Sequence, residues 1–295
     1  LMAGPLVRRH HGRMSRLLTL TAALALMACK GTATLPAQTL TVDGVERAYR
    51  LFVPETPPTA PMPLLLVVHG GGGRDGDFPQ QEAFTALAEE EGVVLVFPLA
   101  EQVDGNEGEW QLNTTPDAQQ DITYIGALID TVASDHAIDA SRIYATGYSL
   151  GSMFAYELVC QMSDRFAAVA SHAGTMPVAP SDCDPPEEVA VLHIHGDQDA
   201  IIPYGDPWDW KDWDAVGTMH DVPSLVQSWA DRFACGDAST TDGANADHVV
   251  HDTCSGAVRV EHWRLRGGGH EWPDRVEGTS TPEVIWSFVS GFTRT

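Results

Sequence analysis

Four short stretches of the chain are apolar with almost no alternation: LLLVV at 64–68, VVLVF at 93–97, FAAVA at 166–170 and VAVLHI at 189–194. A strand with one wet face alternates apolar and polar residues, so a run apolar on both faces must be covered on both. RIYAT at 142–146 is a further short strand, and 257–265 reads as a late one. Segments of helical character lie between and after them. A short helix is expected near 80–91. Ile122, Ile125, Leu128, Ile129 and Val132 recur at helical spacing, 150–162 is an apolar helix, and 224–234 is a helix. A closing helix at 282–292 turns Val284, Ile285, Phe288 and Val289 inward. Buried strands alternating with helices indicate one α/β domain with a mostly parallel sheet and helices on both faces. TLTVDGVERAYRLFVP adds a β-hairpin around Asp43-Gly44. Residues 101–118 and 204–223 read as irregular, and no internal repeat or linker marks a second domain.

The N-terminal region has a different character. Arg8, Arg9, Arg13 and Arg16 precede the apolar run LLTLTAALALMA at 17–28, which is followed at once by Cys29. A basic head and an apolar run too short to span a bilayer fit a secretory signal. The ending LMAC resembles the bacterial lipoprotein cleavage box, with Cys29 as the lipidated residue. The expected organisation is therefore a signal peptide at 1–28, a tether at 29–38 and a folded domain at 39–295, exported and either lipid-anchored to the cell envelope or secreted. Membrane contact is expected through that lipid alone. In an oxidising space the remaining cysteines, Cys160, Cys183, Cys235 and Cys254, are expected in disulfides. Proximity in sequence suggests Cys160–Cys183 and Cys235–Cys254, though three pairings are formally open. No C-x-x-C spacing points to a metal. The net charge of −24 repels phosphate backbones and disfavours nucleic acid as a partner. A monomer is expected.

GYSLG at 147–151 is a G-x-S-x-G motif set between the strand RIYAT and the helix LGSMFAYELVC. Strand, sharp turn and helix together make a nucleophile elbow, which lifts Ser149 above the strand ends. The amide of Leu150, at the start of the helix, faces a reacting oxygen. A serine nucleophile needs a base. His270, in RGGGHEWP after the last strand, comes in the chain order expected for one. The acid that orients the imidazole belongs on the turn after a strand between the two. There the turn GDQD of 196–199 offers Asp197, at the turn entry and suited to a cap, and Asp199, where the chain has cleared the strand. Asp199 is favoured. His193 and His195 with these two aspartates could be read as a metal site, but the histidines share one face of a strand inside an apolar run, and packing in the core or at its rim is expected instead. HGGGG at 69–73 follows the first buried parallel strand and lacks the G-K-[ST] of a phosphate loop. Its bare amides suit an oxyanion hole, with Gly71 paired to Leu150 and His69 in a structural role.

HGGGG, GYSLG, HGDQDAIIPY at 195–204 and GGGHEWP at 267–273 occur in the order that resembles the secreted esterases comprising feruloyl esterases and polyhydroxybutyrate depolymerases, within the α/β-hydrolases. Asp121, IDASRIYATGYS and RFAAVASHAG extend the likeness over residues 40–290. The resemblance implies an α/β-hydrolase catalytic domain that hydrolyses carboxylic esters through an acyl-enzyme. It implies Ser149, Asp199 and His270 as the triad, through the pattern H-G-x-x-D, and supports both cysteine pairings. No metal or organic cofactor is expected; the partner is an ester, small or polymeric, with aromatic polyesters among the candidates. Two departures stand out: Leu150, where a small residue is common, and a long acidic insert, GDPWDWKDWDAVGTMHD at 205–221. The insert carries Trp208, Trp210 and Trp213; Trp208, Trp110 and Trp272 are the candidates for substrate contact. A serine peptidase with the same triad, and a lipid-anchored binding protein with a silent site, are the rival readings.

Overall fold

All seven side chains of strand β3 (Met62–Val68) are buried, and they serve two cores in turn. Leu64, Leu66 and Val68 join one apolar cluster, while Leu65 and Val67 join another on the opposite face. A two-residue side-chain period inside a doubly covered sheet requires this arrangement. The computed structural model describes residues 35–72, 80–101, 109–113, 119–180, 183–209 and 217–294. Cys29 and the expected signal segment lie outside these residues.

The preceding hairpin, β1 (Ala37–Val42) and β2 (Val45–Phe52), turns at Asp43-Gly44, both at positive φ. Strand β1 therefore begins two residues inside the expected tether. Next come α1 (Gln81–Glu91), β4 (Val94–Pro98), α2 (Gln120–Asp135), β5 (Ile138–Tyr148), α3 (Leu150–Met162), β6 (Ala168–His172) and β7 (Ala190–Gly196). Two-residue strands β8 (Trp208–Asp209) and β9 (Thr218–Met219) pair within the segment expected to be irregular. Then follow α4 (Val222–Arg232), β10 (Ser239–Asp242), β11 (Ala246–His251), β12 (Val260–Leu265), a short β13–β14 ladder (Arg275–Val276, Thr279–Ser280) and α5 (Thr281–Val289).

Among the described residues the main sheet has ten strands, ordered β1-β2-β4-β3-β5-β6-β7-β12-β11-β10. The six central strands are parallel, and both edges end in antiparallel pairs. Helices α2, α3 and α4 cover one face, and α1 and α5 the other. This is the α/β-hydrolase fold. Helix α4 starts two residues earlier than expected because Asp221 caps it, accepting the Ser224 amide at 2.9 Å, with Pro223 in the first turn. Helix α5 starts with a capping box between Ser280 and Glu283. The bonds Cys160–Cys183 and Cys235–Cys254 are both formed. No helix among the described residues is long and apolar enough to cross a membrane.

Candidate active site

The site lies at the C-terminal ends of the parallel strands. Between β5 and α3 the chain reverses so sharply that Ser149 takes φ 54°, ψ −120°. That conformation costs a non-glycine residue about 1–3 kcal/mol and persists only where its surroundings enforce it. Here the Ser149 amide donates to the His172 carbonyl at 2.9 Å, and the Ser149 carbonyl accepts from the amides of Ser152 and Met153. The flanking glycines are steric requirements. A Cβ on Gly147 would stand 2.1 Å from the Gly151 carbonyl oxygen, and one on Gly151 would stand 2.2 Å from that of His69. A serine at a helix N-cap ordinarily caps with its hydroxyl; this one does not. Its Oγ lies 2.9 Å from His270 Nε2 instead.

The loop after β12 that carries His270 is tied down at both ends. Asp197 accepts the Gly267 amide at 2.7 Å and pairs with Arg264 at 2.9 Å, while the Gln198 amide donates to the Gly268 carbonyl. Tyr148 donates its hydroxyl to the His270 carbonyl at 2.6 Å. Of the two aspartates the sequence offers, Asp197 thus anchors the loop, and the favoured Asp199 meets the imidazole. Its Oδ2 lies 2.7 Å from His270 Nδ1, and its Oδ1 accepts the amides of Ile201 and Ile202, both at 2.8 Å. His195 Nε2 stands 3.3 Å from the same Oδ2. Burial by itself pushes this carboxyl up, but the hydrogen bonds from His195, His270 and the two amides outweigh it and hold Asp199 well below the usual carboxylate range. Ser149, His270 and Asp199 therefore form one hydrogen-bonded line with an ionised carboxylate at its end.

A cleft of about 310 Å³ opens above Ser149, walled by Leu150, Ile201, Ile202 and Trp208, with Gly71 and Gly72 at one lip and Glu109 at the rim. A Cβ added to Gly71 would lie 3.5 Å from that of Leu150, so the glycine loop runs beside the start of α3. The sequence proposed three tryptophans for this cleft, and only Trp208 lines it. Trp110 is a correction: it is 1% exposed, stacks on Phe154 at 4.7 Å and donates its indole N–H to the His69 carbonyl at 2.9 Å. It buttresses the glycine loop from beneath. Trp272 is also corrected. It packs on Phe84, Tyr148 and His172 behind the His270 loop and is not part of the lining. Gly73, Trp210 and Trp213 lie outside the described residues.

His69 accepts the Ala100 amide at Nε2, which leaves its Nδ1 to donate to the Gly70 carbonyl, a structural role. Sequence reasoning did not isolate the buried Arg47–Asp121 ion pair at 2.6 Å, although Asp121 was noted. Asp121 also accepts the Gln111 amide and so holds the segment that carries Trp110. Tyr148 was visible only as the variable letter of G-x-S-x-G. Among the described residues no group of three or more His, Cys, Asp or Glu is arranged to hold a metal ion. His193 and His195 are buried and hydrogen-bonded to each other.

Residues 47–182 match the family model described as esterase PHB depolymerase. A putative esterase, NocK, from Nocardia uniformis subsp. tsuyamanensis is 31% identical over 82% of this chain and 75% of its own length. Feruloyl esterase C of Emericella nidulans is 28% identical over 82% of this chain and 83% of its own. The bifunctional acetylxylan esterase/xylanase XynS20E of Neocallimastix patriciarum is 27% identical, and the match spans 85% of this chain but 34% of that protein. Among solved structures, acetyl xylan esterase from Aspergillus awamori superposes with a TM-score of 0.61 at 14% identity, covering 86% of this chain and 99% of that one.

Proposed function

Because the chain belongs to the esterase family of the polyhydroxybutyrate depolymerase type, we propose that it is a serine carboxylic-ester hydrolase whose nucleophile is Ser149. The carrying observation is the unbroken line from Ser149 Oγ, which lines an apolar cleft, through His270 to a buried Asp199. His270 takes the Ser149 proton as the hydroxyl attacks the ester carbonyl, and Asp199 stabilises the imidazolium and holds its tautomer. The amides of Gly71 and Leu150 receive the developing oxyanion. His270 returns the proton to the leaving alcohol; water, activated by the same imidazole, then releases the acid from the acyl-enzyme.

The cleft supports a neutral, largely apolar acyl group. Ile201, 64% exposed, lines the cleft and supplies apolar surface for such a group. Glu109 at the rim disfavours an acyl group that carries its own carboxylate. Hydroxycinnamoyl, acetyl and hydroxybutyryl esters fit that description, as do neutral aromatic polyesters. Two disulfides support export, and the sequence LMAC supports Cys29 as the lipid-bearing residue. The test is hydrolysis of p-nitrophenyl acetate and butyrate by the parent and by Ser149→Ala. Turnover by the parent alone is expected, and equal rates would remove the proposal. Parallel assays on methyl ferulate and a hydroxybutyrate oligomer then rank the acyl classes.

A further inference from the structure

Strand β7 points two histidines into the core beneath α3, and the hydrolytic mechanism leaves both unused. With both rings neutral, their protons can be assigned from their neighbours. His195 Nε2 faces two oxygen acceptors, the Ile202 carbonyl at 3.0 Å and Asp199 Oδ2 at 3.3 Å, so Nε2 carries the hydrogen. In the neutral ring Nδ1 is then a lone pair and requires a donor, which His193 Nε2 supplies at 3.1 Å. His193 Nδ1 is in turn a lone pair. It accepts from the Tyr156 hydroxyl at 2.6 Å, with Ser171 Oγ at 3.2 Å beside it. Ser171 is itself hydrogen-bonded to Ser152. Only one proton fits between the facing nitrogens of the two rings, so the two cannot both be imidazolium at once.

The neighbours keep both rings in place. Tyr156 lies on α3, stacked between His193 and Trp229. His262 on β12 donates from Nδ1 to the His193 carbonyl, and its Nε2 accepts from the Tyr204 hydroxyl. Every ring nitrogen in the line has one partner set and one polarity. Each donor points the same way, from Tyr156 to His193, to His195, and from His195 to the Ile202 carbonyl with the carboxylate that orients His270 at 3.3 Å beside it.

We propose that Tyr156, His193 and His195 are positioning residues: a directional hydrogen-bond chain that presents a fixed donor to Asp199, so that the carboxylate keeps its orientation and full charge toward His270. The inference rests on the serine-hydrolase reading and extends it to a tyrosine that touches none of Ser149, His270 or Asp199. Burial supports it by holding His193 neutral, far below the ordinary histidine range, with His195, His262 and His172 adding to the effect. Removing the Tyr156 hydroxyl frees His193, and through it His195, to flip to tautomers that set a lone pair against the carboxylate.

The experiment is a double-mutant cycle on kcat and KM for p-nitrophenyl butyrate, with Tyr156→Phe, His195→Phe and the double variant, each checked by thermal melting. A hydrogen bond to a charged group corresponds to roughly ten- to a hundredfold in rate, which sets the expected loss for His195→Phe in kcat, with KM within about twofold. His195→Gln, which restores an N–H donor, recovers most of it. Tyr156→Phe is expected to lower kcat about three- to tenfold in the parent and to cost nothing further in the His195→Phe background. The low-field proton resonance of His270 Nδ1–H shifts in Tyr156→Phe, and this readout alone decides the matter should His195→Phe not fold. Parent kcat and an unmoved resonance in Tyr156→Phe overturn the chain, as does a full repeat of its loss in the double variant. Ser149→Ala separates the two claims: if it is inactive while Tyr156→Phe is fully active, only the chain fails, whereas an active Ser149→Ala removes the hydrolase reading itself.

Discussion

The two sides of Ser149 are built by opposite means. On the imidazole side every group is fixed by a directional bond: His270 by Asp199 and Tyr148, Asp199 by four donors, and the loop that carries His270 by Asp197. On the acyl side Leu150, Ile201, Ile202 and Trp208 offer apolar surface around an open cleft. Proton transfer tolerates errors of a few tenths of an ångström at most, so the first side needs hydrogen bonds. Acyl binding is non-directional, and the loops that supply it are free to vary. On the proposed reading, the contrast assigns chemistry to the strand ends and selectivity to the connections between them.

The contrast is tested most severely at the two aspartates of one turn. Asp199→Asn keeps the shape but loses the charge and inverts the donor pattern, and kcat is expected to fall about 10⁴-fold with KM little changed. Asp197→Asn loosens only the loop anchor, and a loss of about tenfold is expected in steady-state kinetics. Equal losses at the two positions would erase the distinction between the acid and its neighbour.

A second test concerns acid. Burial holds His172 and His262 down to about 3, and His193 well below its ordinary value. The folded state therefore refuses protons that the unfolded chain accepts below about 6.5, and stability rises with pH through that window. Each imidazole contributes about 1.4 kcal/mol per pH unit once fully titrating. Asp199, held low, adds stability that is present above its unfolded value and lost only in stronger acid. Urea midpoints are expected to drop steeply between pH 6.5 and 4.5; a flat profile would mean that these rings are not held neutral. The smallest effect belongs to the acyl side. Trp208→Ala is expected to raise KM for the butyrate ester about threefold to tenfold, with kcat within twofold, because it removes apolar contact only. A loss in kcat alone would place Trp208 on the chemical side instead.

The apolar runs of β3, β4, β6 and β7 gave the sheet away because burial on both faces leaves a sequence no other option. Strands β10 and β11 were missed for the converse reason: STTD is exposed throughout, and ADHVVH lies near an edge, where polar residues guard against unwanted pairing. The elbow was readable because sterics admit only glycine at residues 147 and 151. Which tryptophans met the cleft was not readable. Trp110 and Trp208 both lie in loop-like sequence, and only the contacts of Phe154 and His69 draw Trp110 inward. The two β7 histidines, HIH in the sequence, announced a buried face, but their direction of donation depends on Tyr156, whose place on the inner side of α3 no local pattern reveals.

The central claim is that His270, held by Asp199, makes Ser149 a nucleophile, and covalent labelling tests it most directly. After incubation with a fluorophosphonate, mass spectrometry of the digested protein should find one adduct, on the peptide containing Ser149. That adduct should be absent from Ser149→Ala and form about a thousandfold more slowly in His270→Ala. An adduct on another residue, or labelling that proceeds at the parent rate without His270, would contradict the account.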